Sequence, residues 1–423
     1  MPDMTYSCAA TDTLASYRRP PLLAWYLAHW LGSFISSLTS NAVYFYAAYE
    51  LHEPAEIQLG MAAAGGLVYT IGALAGGRIV DRLGQRRWAA FMSLTCIPIY
   101  SFGALAVRLH SLPIVFIFLL LLNLATALLW PAVESALTCC PGKLNLNTRM
   151  NIYNINWSTT GFLAGAIVGS LAFWFSWPGV FFIATATSLI VWVLIRWLTI
   201  PQAHMNTGHV ADSPEEQERT RMVRAMPESK TLLHMAWLSN MLSYLACNTI
   251  AAIMPTITHK LDITLVVATA LASVWTLTRI GGFLLTTLWT GWHYRVAWMM
   301  ASFAGLLVGG LTLLLSSSMP LFLLAQALFG LATAMLYSGS LYYAMHLGRG
   351  SGVNAGIHEG LIGIGTVLGP GVAALSGSPD SVAPKALALG IILTLGGCIM
   401  AVMARRTRKL PEVYLQPDRN IPV

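Results

Sequence analysis

The sequence predicts an all-α transmembrane protein of twelve helices, arranged as two pseudo-symmetric six-helix bundles. Three observations carry that reading: a composition too apolar for water, twelve long apolar runs, and a motif pair that returns about 200 residues later. Of 423 residues, 56% are hydrophobic and 10% are charged, against roughly 25% charged in soluble domains. So few charges cannot cover a water-facing surface of this size, so the surplus must face lipid. A soluble enzyme, a disordered chain and a coiled coil are excluded. So is a transmembrane β-barrel, whose strands alternate in polarity.

A polar tail over 1–21 ends in Arg18, Arg19, Pro20 and Pro21. No small-residue cleavage site follows, so the first apolar run reads as an anchor rather than a removed signal. Runs over 22–48, 57–77, 88–108, 112–138, 150–174 and 178–199 each suffice to span a bilayer, which takes about 20 residues, and form an N-terminal bundle over 22–199. The stretch 200–230 holds Asp212, Glu215, Glu216, Glu218, Arg219, Arg221 and Arg224, and reads as a solvated inter-domain loop with room for a short surface helix. Runs over 231–256, 264–289, 296–316, 320–346, 352–377 and 382–404 make the C-terminal bundle, 231–404, and a basic tail occupies 405–423.

Charge tests this division. With both termini cytoplasmic, twenty basic residues fall inside and three outside (Arg108, Lys260 and Lys385), while Arg279 lies within a span. That asymmetry is the positive-inside rule, and an extra or missing span would invert every later loop. The net charge of +7 is then accounted for at the headgroups, and no nucleic-acid partner is needed. The six cysteines form no C-x-x-C pair, so neither a disulfide framework nor a zinc site is expected.

The chain repeats itself. Leu124-Ala125-Thr126-Ala127-Leu128-Leu129-Trp130 returns as Leu331-Ala332-Thr333-Ala334-Met335-Leu336-Tyr337, 207 residues on. Asn151 with Gly161, Gly165 and Gly169 returns as Asn354 with Gly365 and Gly369, at offsets of 203 and 204. Because six spans is an even number, the two halves enter the membrane in the same sense. Such parallel halves place a substrate site near the midplane between them.

Between the second and third runs lies Gly77-Arg78-Ile79-Val80-Asp81-Arg82-Leu83-Gly84-Gln85-Arg86-Arg87. Gly77 allows close helix approach, Gly84 permits a turn other residues resist, and Asp81 suits a helix N-terminus. Arg82, Arg86 and Arg87 can anchor in headgroups. This loop resembles the signature of the major facilitator superfamily. The resemblance covers residues 20–405 and implies a secondary transporter working by alternating access, with Asp81 set against the start of span eleven near Ser351 to hold the inner gate shut. A faded copy surrounds Gly291, His293 and Arg295 in the second half.

Ionisable groups at membrane depth are costly and usually functional. Arg279 sits roughly 13 Å and Glu359 roughly 10 Å deep from the same side at 1.5 Å per residue, so they are expected to form a buried ion pair, with His358 beside it. Glu134, after Pro131, is expected to pair with Arg149 or Arg82 in the gate, and His29 is a coupling candidate because histidine titrates near neutrality. Uncharged polar groups cannot face lipid cheaply. In the resembling family spans one, four, seven and ten line the cavity. Asn41, Asn123, Asn240, Tyr244, Asn248 and Gln326 are therefore candidate substrate contacts, with Trp130, Trp157, Trp275 and Tyr337 among the aromatics that accompany them.

Gly356, Gly365 and Gly369-Pro370 in span eleven are similar to the glycine-proline signature that drug–proton antiporters carry in span five. Here span five has Ala166 in the proline's place, and the arginine of their span four is missing, with Asn123 in that region. Both departures count against the antiporter reading, and the glycine pattern itself tilts the direction slightly to efflux.

The expected function is therefore proton-coupled movement of a small organic solute, with proton-coupled uptake or passive uniport of a sugar-like or organic-acid solute as alternatives. No cofactor or metal is called for, and no G-x-x-x-x-G-K-[ST] loop for ATP is present. An integral membrane enzyme would need clustered catalytic groups such as H-E-x-x-H, and a sensor would add a sizeable soluble domain; neither appears. Compact loops without an accessible Asn-x-Ser/Thr site suit a bacterial inner membrane, and a monomer is expected.

Overall fold

Inside a bilayer every backbone N–H and C=O must be bonded within the protein, and the apolar runs meet that demand as helices. A computed structural model describes residues 21–53, 55–140, 144–198, 221–260, 274–377 and 381–405, and among these no strand occurs. The first four helices are α1 (Pro21–Tyr49), α2 (Ala55–Leu83), α3 (Gln85–Arg108) and α4 (Leu112–Cys139). The next helical element, Leu146–Val193, folds back on itself at Ser176, whose φ of 61° is non-helical, giving α5 before the fold and α6 after it. A π turn, Leu194–Leu198, ends α6. The second half comprises α7 (Pro227–Lys260), α8 (Val274–Leu288), α9 (Val296–Leu315), α10 (Met319–Leu347), α11 (Gly352–Leu375) and α12 (Val382–Arg405). Among the described residues, eight helices, Leu146–Trp197 counted as one, are long and apolar enough to cross a membrane.

The boundary expected between spans five and six, 174 to 178, coincides with the Ser176 fold. Phe173, Trp174 and Phe175 flank it and are largely exposed, as an interfacial aromatic belt would be. The expected tails over 1–20 and 406–423, and most of the inter-domain loop (199–220), lie outside the described residues. Past that gap, residues 221–225 are helical. They dock on α10 through Arg224, whose Nε donates to the His346 carbonyl at 2.8 Å.

Two seams join the halves. Along the first, α2 and α11 meet glycine against glycine. A methyl group on Gly77 would overlap the Gly352 carbonyl oxygen, and one on Gly356 would lie 2.5 Å from the Ala73 oxygen. Further along, a methyl on Gly66 would press on the Val367 amide at 3.0 Å. The second seam sets α5 against α8 and α10. Asn147 Nδ2 donates to the Thr286 carbonyl at 2.9 Å, and Asn151 Oδ1 accepts from both Thr286 Oγ1 and Ser338 Oγ at 3.0 Å.

The Gly77 contact yields a direct expectation. Backbone cannot yield as a flexible side chain does, and overpacking costs about 1–3 kcal/mol. Gly77→Ala should therefore lower the Tm of the purified protein by several degrees, whereas Gly165→Ala, which meets nothing within 4 Å, should not. Equal melting of both variants would show that the α2–α11 seam is looser than the glycines imply.

Candidate functional site

The signature loop builds one end of the molecule. Gly84 takes φ 85°, the left-handed region that glycine adopts without strain, and this turns the chain from α2 into α3. Asp81 then reaches across the first seam to the start of α11. Its carboxylate accepts from Ser351 Oγ at 2.8 Å, the Gly352 N–H at 2.6 Å and the Val353 N–H at 3.2 Å. An anion from one half thus caps a helix of the other, where exposed N–H groups favour negative charge. The faded copy also crosses between the halves, for His293 Nε2 lies 3.3 Å from Asn147 Oδ1 at the start of α5. Ser135 on α4 adds a bond to the Gly350 carbonyl and accepts from Gln85 Nε2 at 3.1 Å.

The basic residues at this end divide. Arg86 Nη2 donates to the Arg196 carbonyl at 2.5 Å, and partial burial beside Arg196 lowers its pKa from the ordinary guanidinium value. Arg149 does not meet Glu134 as expected. Its guanidinium donates instead to the carbonyls of Leu137, Thr138, Cys140 and Leu144, where the C-terminus of α4 leaves acceptors unbonded. Arg82 is exposed and likewise does not reach Glu134.

Glu134 lies deeper, completely buried, and points at the other half. Its carboxylate, that of Glu359 and the His358 ring bring donor atoms within 4.8 Å of one another. Tyr69 on α2 donates its hydroxyl to Glu359 Oε2. Ser340 Oγ holds His358 Nδ1 at 2.8 Å, while His358 Nε2 and both Glu134 oxygens lack hydrogen-bond partners. Tyr153 on α5 lies beside Glu134 and stacks on His29 at 4.1 Å. A polar line thus runs from His29 through Tyr153 and Glu134 to Glu359 and Tyr69. The three donors are of types that could hold a metal ion, with two carboxylates and one imidazole.

Arg279 and Glu359 do not form the expected ion pair. Depth alone put them together, but Glu359 bonds to Tyr69, while the Tyr337 ring touches the Arg279 guanidinium (5.4 Å) and the His358 ring (5.0 Å). Arg279 instead sits among Trp157 (4.5 Å), Tyr244 (5.5 Å), Trp275 (5.8 Å) and Phe283 (5.7 Å) as well. A desolvated cation–π contact is worth about 2 kcal/mol, against an effective penalty of several kcal/mol for burying an ion. The rings therefore offset much of the cost at the faces of the guanidinium and none of it at the edge. Along that edge, Nε and Nη2 have no hydrogen-bond partner although Arg279 is only 3% exposed.

The amides sort themselves less evenly. Asn240 is buried with both amide atoms unpartnered, one turn from Tyr244 on α7, and so keeps its candidacy. Asn41, Asn123 and Asn248 each bond back to the carbonyl four residues earlier. Gln326 Oε1 accepts from the Trp275 N–H at 3.2 Å, pinning the start of α8. The sequence reading missed Tyr69, Tyr153, Asn147 and Thr286. A polar residue beside the small-residue stripe Gly66, Thr70, Ala73 and Gly77 was the available signal for Tyr69.

A sequence profile described as Major Facilitator Superfamily matches residues 25–231 and 236–419. In fold the chain is similar to the human organic anion transporter MFSD10 (TETRAN), with a TM-score of 0.67 and 14% identity over 90% of this chain and 100% of that one. It is also similar to the proton:xylose symporter XylE (TM-score 0.70, 12% identity, 92% and 96% covered) and to the E. coli fucose:proton symporter FucP (0.59, 14%, 90% and 99%). No curated protein matches it in sequence. At these identities the likeness is one of fold.

Proposed function

This chain belongs to the major facilitator superfamily and is a multi-pass secondary transporter of small molecules, and from that premise we propose that it couples solute movement to protons through Glu134 and Glu359. One observation carries the proposal. The two carboxylates come from different halves, α4 and α11, and meet in a buried place within 4.8 Å. Carboxylates that close and out of water do not both carry charge, so the pair holds a proton between them. Alternating access parts the halves, and with them the pair. Proton affinity and conformation are then linked, and the linkage works in both directions.

The end carrying Asp81 is assigned to the cytoplasm, since twenty basic residues fall on that side in the division above and three on the other. With Asp81, Ser135, Asn147 and Asn151 all bridging the halves there, the state described is closed to the cytoplasm. The solved relatives whose printed names include proton symporters and an organic anion transporter support a coupled cycle and leave the solute open.

Proteoliposomes with a lumenal pH dye, challenged with sugars, organic acids and amines, test this. A solute that carries protons with it, in a direction set by the imposed pH gradient, is the expected result. Transport indifferent to pH would make the protein a uniporter. Transport that follows an added metal ion instead would assign Glu134, His358 and Glu359 to that cation.

A further inference from the structure

We infer that the solute is an organic monoanion, a carboxylate or similar planar oxyanion on a flat apolar body, seated on Arg279. The inference rests on the proton-coupled reading for its cycle and on separate observations for its chemistry. Nε and Nη2 of an arginine form one side of the guanidinium, the two parallel N–H groups that grip a carboxylate bidentately. In this protein those two atoms are the ones left without partners. The described carboxylates nearest the centre form no ion pair with Arg279: Glu359 accepts from Tyr69, and Glu134 faces Glu359 and His358. A buried cation with an empty fork and no carboxylate of its own is complementary to an anion that arrives from outside.

The walls specify the rest of the solute. Trp157 comes from the N-terminal half; Tyr244, Trp275, Phe283 and Tyr337 come from the C-terminal half. Rings on both sides of the seam favour a flat, apolar body over a polyhydroxylated one, which would need more hydrogen-bond partners than these faces offer. A sugar fits this lining poorly, and a cationic amine meets Arg279 as a like charge.

Charge balance then gives the coupling. The empty centre holds one cation, Arg279, and one negative charge shared by Glu134 and Glu359 with their proton. An arriving monoanion makes the centre net negative, and uptake of one more proton by the pair restores neutrality. Empty and fully loaded centres are both neutral, whereas a centre holding only the anion or only the extra proton carries net charge in a low-dielectric site, which is costly. The half-loaded states are therefore disfavoured, and anion and proton move together in the same direction as a one-to-one symport. No bond is made or broken beyond the transfer of that proton from solvent to the carboxylate pair.

The test uses full-length purified protein and matched probes: benzoate, benzamide and benzylamine, with 2-naphthoate and 2-naphthamide as larger homologues. Binding is read by thermal shift and calorimetry, and proton uptake by a dye in weak buffer. At least one carboxylate should bind about ten-fold or more tightly than its amide, as a charge-assisted bidentate bond requires, and one proton should enter per anion. Arg279→Lys should weaken the preference and Arg279→Gln abolish it. A panel in which no carboxylate outbinds its amide, or an Arg279→Gln protein that keeps the preference, overturns the anion site. The wild-type comparison stands even where a variant misfolds. Carboxylate preference without proton uptake leaves the Arg279 site in place and removes the proton-coupled reading, so the two failures are separable.

Discussion

Glu359→Gln should abolish uphill transport while leaving solute exchange intact. Glutamine matches the shape of a protonated glutamate, and its amide oxygen can still accept from Tyr69, the partner of Glu359 Oε2. The seam therefore closes as before. What is lost is the exchangeable proton: Glu134, buried and without its carboxylate partner, stays protonated whether the centre is empty or loaded, so solute enters without taking a proton up. In proteoliposomes given a solute from the pH-dye screen, a one-unit inward proton gradient drives accumulation by about ten-fold per proton, since one pH unit is 1.36 kcal/mol. The variant should fall to no accumulation at all. Counterflow, in which labelled solute exchanges for unlabelled with no net movement, should persist within a few-fold. Glu134→Gln should behave similarly, and the double variant should lose little more, because residues acting as a unit are not additive. Accumulation by Glu359→Gln at the wild-type level would end the assignment of this pair to coupling.

Much of the fold was legible because it obeys one-dimensional rules. Length and apolarity mark each crossing, sign of charge orders the loops, and the Leu124 and Leu331 repeats pair the halves. In the structure the last residues of those repeats, Trp130 and Tyr337, each set a ring edge against a histidine, His29 at 5.6 Å and His358 at 5.0 Å. The place of Asp81 at the start of α11 came from the resemblance of its loop to the superfamily signature; the residues alone said only that it suits a helix N-terminus.

The centre was less legible because depth is one coordinate and azimuth another. Arg279 and Glu359 share a depth, yet Glu359 turns toward α2 with Gly356, Gly360 and Gly363, whose spacing packs α11 on Ala73, Leu74 and Thr70. Arg279 turns into the rings of α5, α7 and α10. A helix that is apolar all round carries little signal for which side is lipid and which is seam. The glycines of α11 that suggested efflux proved to be packing surfaces: methyls on Gly365 and Gly369 would strike Met241 and Asn248 of α7, respectively, each at 2.6 Å. Of the polar candidates, those that bond back within their own helix, such as Asn123, are indistinguishable in sequence from those left unpartnered, such as Asn240.

Asp81→Ala is expected to loosen the closed end by roughly an order of magnitude. Three hydrogen bonds converge on this carboxylate, and bonds to a charged group contribute about 1.5–3 kcal/mol each when buried. Asp81 is exposed, so solvent screening reduces the net to about 1–2 kcal/mol, or about five- to thirty-fold in the ratio of closed to open. Cys139 is a built-in reporter, half-buried with its Sγ 3.9 Å from the Gly350 carbonyl at the same seam. Its labelling by a membrane-impermeant maleimide from the Asp81 side should accelerate by that factor in the variant. Asp81→Asn should be damaging too, because its NH2 replaces one of the two acceptor oxygens and would confront the N–H of either Gly352 or Val353. Added salt distinguishes charge from packing. Wild-type labelling should rise toward that of Asp81→Ala as ionic strength grows, whereas Gly77→Ala, whose defect is steric, should keep its difference from wild type. Should Cys139 label at one rate in wild type and Asp81→Ala, the carboxylate is a bystander and the glycine seam alone holds the halves together.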